Sequence, residues 1–318
     1  MQVLSWLRKR TTGRPQTRRA PARKPAPGFR PQLEALEGRD LPSAGFTFSP
    51  IDVPGAAQGT TVAHGINARG DIVGDYAEAS GVNHGFLLSH GRYTPLTAFG
   101  SLTTYANGIN DRGQVVGAYF SGINIEHGFL LDHGTYTTLD DPYGVVGSTV
   151  AYGINNRGDV VGDYTGTDGN EHGFLYRDGR YTTLDVPGAV GPYGGYTAAF
   201  GIDARGDVVG EYSDPNGNGT HGFVFSGGRY TTLDYPGAPV NDLYGINARG
   251  QIVGDYSDGI TDYRGFVFSG GRYTTLEDPQ AAGTTFPSGI NDAGQVVGNY
   301  SDANGTGHGF LADPVEVR

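Results

Sequence analysis

The fold is decided by a short segment, residues 153–164, which reads GINNRGDVVGDY. Close copies of this segment recur through the chain at spacings of 43, 45, 48, 44 and 44 residues. Their Gly-Ile-Asn triplets, with Asp replacing Asn once, begin at Gly65, Gly108, Gly153, Gly201, Gly245 and Gly289. A fixed period of this length indicates tandem structural repeats, each of which packs against its neighbours.

Each copy predicts four short strands separated by turns. Asn155-Asn156-Arg157-Gly158 has Asn first and Gly fourth, as in a type I turn, so a hairpin is expected there. The Val-rich strand that follows contains Gly162, which we expect to let an aromatic ring cross the backbone closely. Strands at 173–176 and 180–184 complete the unit. Four strands in 43–48 residues are typical of a propeller blade, so we predict an all-β, six-bladed β-propeller with four antiparallel strands per blade.

The two ends of the repeat array predict how the ring closes. Residues 46–55 have the form of a fourth strand, whereas the last copy ends after its third strand, at 309–311. We therefore expect the N-terminal strand to pair beside residues 308–312 and to complete the last blade, which leaves no long exposed edge.

Composition excludes several protein classes. Gly and Pro together make up 73 of 318 residues, which excludes an ordinary helical protein, and the absence of Cys excludes disulfides, thiolate metal sites and a cysteine nucleophile. No stretch of 18 apolar residues exists, so we predict no membrane span.

Charge divides the chain into two parts. Residues 1–44 carry ten basic and three acidic side chains, and no Lys occurs after Lys24. We predict that 1–44 is a disordered basic segment for export or attachment, that 45–313 is the propeller and that 314–318 is a C-terminal tail. Because no aromatic-interleaved or helical basic pattern supports groove reading, we favour this role over nucleic-acid binding and expect a monomer with no nucleic-acid partner.

Two resemblances point outside the cell. Residues 30–43, RPQLEALEGRDLPS, resemble the LE-x-LE-x-R-x-L-P-S element near the N-termini of many cell-surface and secreted proteins of planctomycete-type bacteria. The repeat unit resembles the HAF family of probable extracellular repeats over about 270 residues, although His-Gly-Phe replaces His-Ala-Phe and Leu-Asp-x-Pro-Gly-Ala replaces Leu-Gly-x-Leu-Gly-Gly. These resemblances imply an extracellular or cell-surface location and no known reaction.

Positions that differ between copies predict a ligand site on the propeller axis, because residues fixed in every blade serve the blade itself. The residue before each triplet, on the innermost strand, takes five residue types in six copies; the six are His64, Asn107, Tyr152, Phe200, Tyr244 and Ser288. The opposite rim carries an arginine in five of the six turns, at Arg69, Arg112, Arg157, Arg205 and Arg249. Solvated turns explain these arginines, and an anionic glycan or envelope partner is the alternative.

Recurring histidines and acids suggest structural hydrogen bonds. The histidines of His-Gly-Phe are His84, His127, His172, His221 and His308, and no H-x-x-x-H spacing occurs. The acids after the fourth strand are expected to bond the backbone of the following Pro-Gly turn; they are Asp52, Asp140, Asp185, Asp234 and Glu277. Asp214, Asn216 and Asn218 match the front half of a calcium loop, but Phe225 stands where the bidentate Glu belongs. We predict no metal and no cofactor, with calcium at this loop as the alternative.

The sequence predicts a non-enzymatic propeller that binds a protein or glycan at the cell surface. An envelope-associated hydrolase or lyase is the alternative, with its site at the axial mouth around His64, Asn107, Tyr152 and Tyr244. A purely structural surface module is the third reading. A carboxylate pair converging at the axis favours the enzyme.

Overall fold

A computed structural model describes residues 45–189, 194–214, 216, 219–257 and 263–315. The predicted segment 1–44 and the last residues of the predicted tail, 316–318, lie outside this range. The described strands are β1 (Phe46–Ile51), β2 (Val62–Ile66), β3 (Ile72–Ala77), β4 (Asn83–Ser89), β5 (Arg92–Leu96), β6 (Thr104–Ile109), β7 (Val115–Gly122), β8 (Ile125–Asp132), β9 (Thr135–Leu139), β10 (Gly144–Ile154), β11 (Val160–Gly166), β12 (Glu171–Arg177), β13 (Arg180–Leu184), β14 (Thr197–Ile202), β15 (Val208–Ser213), β16 (Thr220–Ser226), β17 (Arg229–Thr232), β18 (Val240–Ile246), β19 (Ile252–Ser257), β20 (Tyr263–Ser269), β21 (Arg272–Leu276), β22 (Thr285–Ile290), β23 (Val296–Ser301) and β24 (Gly307–Pro314). One 3-10 turn (Ala98–Gly100) accompanies them.

The strands form consecutive antiparallel groups of four, which confirms the all-β propeller class. Four groups are separate sheets, β2–β5, β14–β17, β18–β21 and β22–β24 with β1. The groups β6–β9 and β10–β13 are joined into one eight-stranded sheet by a single parallel pair, Ser148 with Glu126. Over the described residues, the sheets therefore number five, which at this junction departs from the predicted six four-stranded blades. The cause is the length of β10, whose first half extends far enough to reach the start of β8.

The N-terminal strand closes the ring as predicted. Strand β1 pairs antiparallel with β24, with Phe46 opposite Pro314 and Ile51 opposite Gly309. Its Ile51 belongs to the same buried cluster as Phe86 of the first group. The start of the repeat array thus completes the last group. Ile51 and Val297 of that group share one buried cluster with the first group.

Glycines of the Gly-Ile-Asn triplets make close contacts between groups at the axis. A β-carbon on Gly108 would lie 2.5 Å from the carbonyl oxygen of Tyr152 and 3.3 Å from the Cα of Gly153. The same relation runs around the ring, each glycine approaching the next, through Gly65, Gly108, Gly153, Gly201, Gly245, Gly289 and back to Gly65. The inner strands can approach this closely because none of these positions carries a side chain.

A second set of glycines admits the main core ring of each group. Gly162 lies opposite Phe174 on the neighbouring strand, and a β-carbon there would lie 2.7 Å from that ring. This confirms the expected crossing of an aromatic ring over the backbone. Phe174 and its five equivalents are fully buried; they are Phe86, Phe129, Phe223, Phe266 and Phe310. Each such ring contributes about 2–3 kcal/mol of apolar burial to the stability of the domain.

Replacing Gly108 by Ala should lower the free energy of unfolding by about 1–3 kcal/mol, because the new methyl group must displace the backbone of the neighbouring inner strand. Urea denaturation followed by tyrosine fluorescence measures this change. Gly45→Ala is the matched control, since a β-carbon there has no atom within 4 Å and the residue keeps a negative φ. Equal stability of the two variants would show that the glycine contacts do not limit how the groups close.

Candidate binding site at the axial mouth

A β-bulge in every inner strand creates the candidate site. In β2, Ala63 lies opposite Gly74 and Gly65 lies opposite Val73, so His64 is an extra residue with no partner. The same shift occurs in β6, β10, β14, β18 and β22. The extra residues are the six that the sequence singled out before each triplet. A bulge redirects the side chain of its extra residue, which here turns toward the axis.

The six bulge residues line a single cavity of about 330 Å³. The structure therefore brings together His64, Asn107, Tyr152, Phe200, Tyr244 and Ser288, as the sequence predicted; their role in ligand binding stays a prediction. Phe286 and Asn299 complete the lining. Both were missed, although the position of Asn299, between Gly and Tyr in the V-V-G-x-Y segment, also varies between copies. That position holds Asp75, Ala118, Asp163, Glu211, Asp255 and Asn299.

One half of the cavity wall is aromatic. Tyr152, Phe200 and Tyr244 come from three consecutive inner strands, and all three are partly exposed. The Tyr152 and Phe200 ring centroids are 4.9 Å apart with the rings at 76°, and those of Phe200 and Tyr244 are 5.4 Å apart at 43°. The rings therefore form a continuous, angled wall that offers both faces and edges to a ligand.

The other half of the wall is polar. Nε2 of His64 lies 2.6 Å from Oδ1 of Asp75, which fixes the orientation of the imidazole at the cavity. The side-chain amide of Asn107 donates to the carbonyl oxygen of Ala151, 3.0 Å away. Ser288 and Asn299 complete this half. A ligand in the cavity thus meets hydrogen-bonding groups on one side and aromatic rings on the other.

Carboxyl groups stand behind the aromatic half. Burial raises the pKa of Asp255 to about 8, and the Asp242 carboxyl adds to the rise. Burial together with contact to Asp242 raises the pKa of Glu211 far above its usual range. Burial also raises the pKa of Asp163 well above its ordinary value, with Glu171 and Glu126 contributing. Acids therefore converge beside the cavity, the arrangement that the sequence analysis associated with the enzyme alternative.

Asp255 is exceptional among these acids. Its exposed fraction is 0 %, and neither carboxyl oxygen has a hydrogen-bond partner. The Tyr244 hydroxyl and the Asp242 carboxyl lie near enough to alter the pKa of Asp255, but neither forms a hydrogen bond of ordinary geometry with it. A buried carboxyl without partners costs stability when it ionises.

The opposite mouth is closed by the Asn residues of the triplets. The Asn110 amide donates to the Asn155 carbonyl at 2.9 Å, and the Asn155 amide donates to the Asp203 carbonyl at 3.1 Å. Equivalent bonds start from Asn67, Asn247 and Asn291. The chain of bonds is interrupted at Asp203, which has no amide to donate. Only about 80 Å³ of space remains at this mouth.

Three of the five arginines of the opposite rim contact acids and the next group at this mouth. Arg157 donates through Nε to Asp159 at 3.0 Å and through a terminal nitrogen to the Ala204 carbonyl of the next group at 2.7 Å. Arg69 makes the equivalent contacts with Asp71 and the Asp111 carbonyl, whereas Arg205 donates to Asp203 and to the Ala248 carbonyl. The side chains of Arg112 and Arg249 are exposed on the same rim. Acids thus compensate three of the charges, and an anionic partner for this rim stays a prediction.

The recurring histidines and acids pair with each other. The acid was expected to bond the backbone of the Pro-Gly turn, but in four groups its carboxylate contacts histidine Nδ1, as in His221 with Asp234 at 2.7 Å. The other pairs are His127–Asp140, His172–Asp185 and His308–Asp52. His84 instead lies 3.3 Å from Glu78, because Thr97 replaces the acid in that copy. The sequence showed both patterns but not that the third and fourth strands bring them together.

The calcium-loop match is described only in part. Asp214 Oδ1 accepts a hydrogen bond from the backbone N–H of Asn216 at 2.7 Å, whereas Asn218 lies outside the described residues. Within the part of the chain that the structure describes, no three His, Cys, Asp or Glu side chains form a group suited to a metal ion. Over the same residues, no helix is long and apolar enough to cross a membrane.

Comparison with known proteins supports the fold. No protein-family model and no curated protein matches the chain. Among solved structures, the SapL1 lectin in complex with alpha methyl fucoside has a TM-score of 0.54 at 12% identity, covering 83% of this chain and 95% of that one. A gluconolactonase from Xanthomonas campestris has a TM-score of 0.51 at 12% identity, covering 82% and 88%. TolB from Acinetobacter baumannii has a TM-score of 0.50 at 13% identity, covering 81% and 64%. These similarities show a shared propeller fold.

Replacing Asp255 by Asn should flatten the pH dependence of stability. The folded chain keeps the proton of Asp255 up to a pKa of about 8, whereas the unfolded chain loses it near 3.8. The free energy of unfolding therefore falls as pH rises between these values, by up to roughly 1.4 kcal/mol per pH unit for one proton. Urea denaturation at pH 5, 6.5 and 8 should show a shallower decline in the variant.

Asp178→Asn is the matched control for this prediction, because Asp178 is exposed in the turn between β12 and β13. Its pH dependence should equal that of the parent. Parallel stability curves for Asp255→Asn and the parent between pH 5 and pH 8 would contradict the assigned burial of the carboxyl.

Proposed function

We propose that this chain is a non-enzymatic binding protein, a six-bladed propeller whose ligand site is the axial cavity. The blade count takes the eight-stranded sheet as two blades joined by one parallel pair. The ligand is a glycan or a protein segment that enters the mouth, and the binding unit is a monomer. We also propose an extracellular or cell-surface location, which the resemblance of residues 30–43 to an N-terminal element of surface and secreted proteins supports.

The observation that carries this proposal is the cavity formed by the six bulge residues. Every inner strand supplies its bulge residue, which differs between copies, to the same cavity of about 330 Å³. The glycines that close the ring are the same in every copy. Such a volume lies at the lower end of the range for ligand pockets and suits one sugar ring. Aromatic rings on one wall and hydrogen-bonding groups on the other match the two kinds of surface that a sugar presents. The SapL1 lectin in complex with alpha methyl fucoside shares this fold at a TM-score of 0.54, so the fold is compatible with a glycan-binding protein.

A hydrolase or lyase at the axial mouth is the second candidate, because one specific observation favours it. His64 faces the cavity and is held by Asp75 at 2.6 Å, which is how a carboxylate orients a general base. Asp255 is not available for such a role, since it has no exposed surface and cannot contact a substrate. The binding function is preferred because the other side chains that line the cavity are aromatic rings, amides and the Ser288 hydroxyl.

A glycan array probed with the purified full-length chain tests the binding function. Binding of one glycan class, with the glycan recovered unchanged, is the expected result. A product that forms with the parent but not with His64→Ala would replace binding by the enzyme. An array without bound glycans, followed by equally negative protein capture, would leave the structural module as the function.

Tyr152→Ala and Tyr244→Ala should each weaken binding of the array ligand by about 1–3 kcal/mol, because each removes an aromatic wall of the cavity. Isothermal titration calorimetry measures the change. Tyr143→Ala is the matched control, since Tyr143 is 63% exposed and does not line the cavity, and Arg112→Ala tests the opposite rim. Undiminished binding in both cavity variants, with loss in Arg112→Ala, would transfer the site to the arginine rim.

A further inference from the structure

We propose that the axial cavity selects a ligand carrying an ammonium group, such as a sugar with a free amine. This inference rests on the proposed binding function and deepens it, because it names the chemistry of the ligand. Two features of the cavity carry it: an aromatic wall on one half, and carboxyl groups placed behind that wall.

The aromatic wall has the form of a partial cage. Tyr152, Phe200 and Tyr244 meet at 76° and 43°, with neighbouring centroids about 5 Å apart. A cation within about 6 Å of a ring centroid is attracted by the negative face of the ring, and rings set at an angle surround an ammonium group better than parallel rings. Ring faces attract a cation without coordinating it, so this wall favours an organic cation over a metal.

Carboxyl groups surround this half of the cavity; burial keeps Asp163, Glu211 and Asp255 protonated, and a bound ammonium group would stabilise their ionised forms. Beside Tyr152 lie Asp163, Glu126, Glu171 and Glu211, and all four raise the pKa of its hydroxyl in addition to the effect of burial. Beside Tyr244 lie Asp255, Asp242 and Glu211, with the same effect on the pKa of that hydroxyl. These acids come from six different strands, β8, β11, β12, β15, β18 and β19, so the fold gathers them around the rings from several groups.

Asp255 is a second, independent sign that a cation belongs here. It is fully buried next to Tyr244, and both of its oxygens lack a hydrogen-bond partner. A buried carboxyl is normally hydrogen-bonded or paired, because its desolvation is costly. A cation held against the Tyr244 ring would stabilise the ionised form of this carboxyl through space. A neutral sugar or an anion would not.

The opposite half of the cavity explains why one ammonium group, and not a purely cationic ligand, fits. Asp75 on that side already contacts His64 at 2.6 Å, and the remaining lining groups are Asn107, Ser288 and Asn299, together with the ring of Phe286. The polar side chains offer hydrogen bonds to hydroxyl or amide groups. A molecule with a cationic end and a hydroxylated end, as in an amino sugar, therefore matches both halves.

Isothermal titration calorimetry with the full-length chain tests the charge requirement. Choline and 3,3-dimethylbutan-1-ol have nearly the same shape, but only choline is charged. We expect choline to bind at least about 10-fold more tightly, as the loss of one cation–π contact with its supporting charge predicts. Equal affinity, tighter binding of the alcohol, or no binding of either overturns the inference. None of these results contradicts the proposed function, which the glycan array decides separately.

A second pair of probes distinguishes a small amine from an aminated glycan as the source of the ammonium group. The β-1,4-linked glucosamine tetramer and its N-acetylated counterpart are compared at pH 6, where the amine is charged. Tighter binding of the glucosamine tetramer than of choline, and of the N-acetylated tetramer, identifies the aminated glycan. Preference for the N-acetylated tetramer overturns the ammonium requirement while glycan binding stands.

The double variant Asp163→Asn, Glu211→Gln removes two carboxyls and keeps the shape of the side chains. We expect its affinity for choline to fall at least about 10-fold, with little change for the alcohol. Its melting temperature should equal or exceed that of the parent, because the substitutions remove two buried carboxyls whose ionisation costs stability, so weaker binding cannot be attributed to unfolding. Asp178→Asn is the matched control and should bind as the parent does. Unchanged choline affinity in the double variant overturns the inference.

Discussion

The close approach of six glycines around the axis is the contact on which the rest of the structure depends. Each triplet glycine lies so near the next inner strand that a β-carbon would come within 3.3 Å of the neighbouring glycine Cα. Side chains at these positions would force the strands apart and open the ring. The requirement explains why glycine stands at this position in all six copies. It also fixes the spacing at which all other groups around the axis meet.

Features on either side of the glycine follow from this constraint. On the C-terminal side the Asn amide reaches the carbonyl of the next group, as in Asn110 to Asn155 at 2.9 Å, and narrows one mouth. On the N-terminal side the strand bulges and turns one side chain toward the axis. The triplet Asn serves closure and is present in every group except one, where Asp203 replaces it. The bulge residue makes no closing contact common to all groups, so its residue type is free to differ.

A symmetric scaffold thereby carries an asymmetric cavity. Three successive bulges present Tyr152, Phe200 and Tyr244, whereas the others present smaller polar groups or His64. A related pattern appears one layer outward, where Asp163, Glu211 and Asp255 stand behind the aromatic side, while Ala118, Asn299 and Asp75, which contacts His64, occupy the equivalent positions elsewhere. Each group with an aromatic bulge residue thus also carries an acid at this position. Their coincidence gives the cavity a direction that no single repeat contains.

The sequence by itself determined the repeat, the strands, the turns and the closing pair of β1 with β24, because these depend on local periodicity and on residues that recur at a fixed spacing. It also identified the six variable residues of the axis.

The tertiary structure decided what those residues do together. The bulge that turns His64 inward is a mismatch in strand pairing, and the pairing of His221 with Asp234 joins residues 13 positions apart across two strands. The convergence of Glu211, Asp242 and Asp255, and the joining of two groups through β10, depend on contacts between repeats. Local patterns specify each repeat, but the distances between repeats are set only when the ring closes.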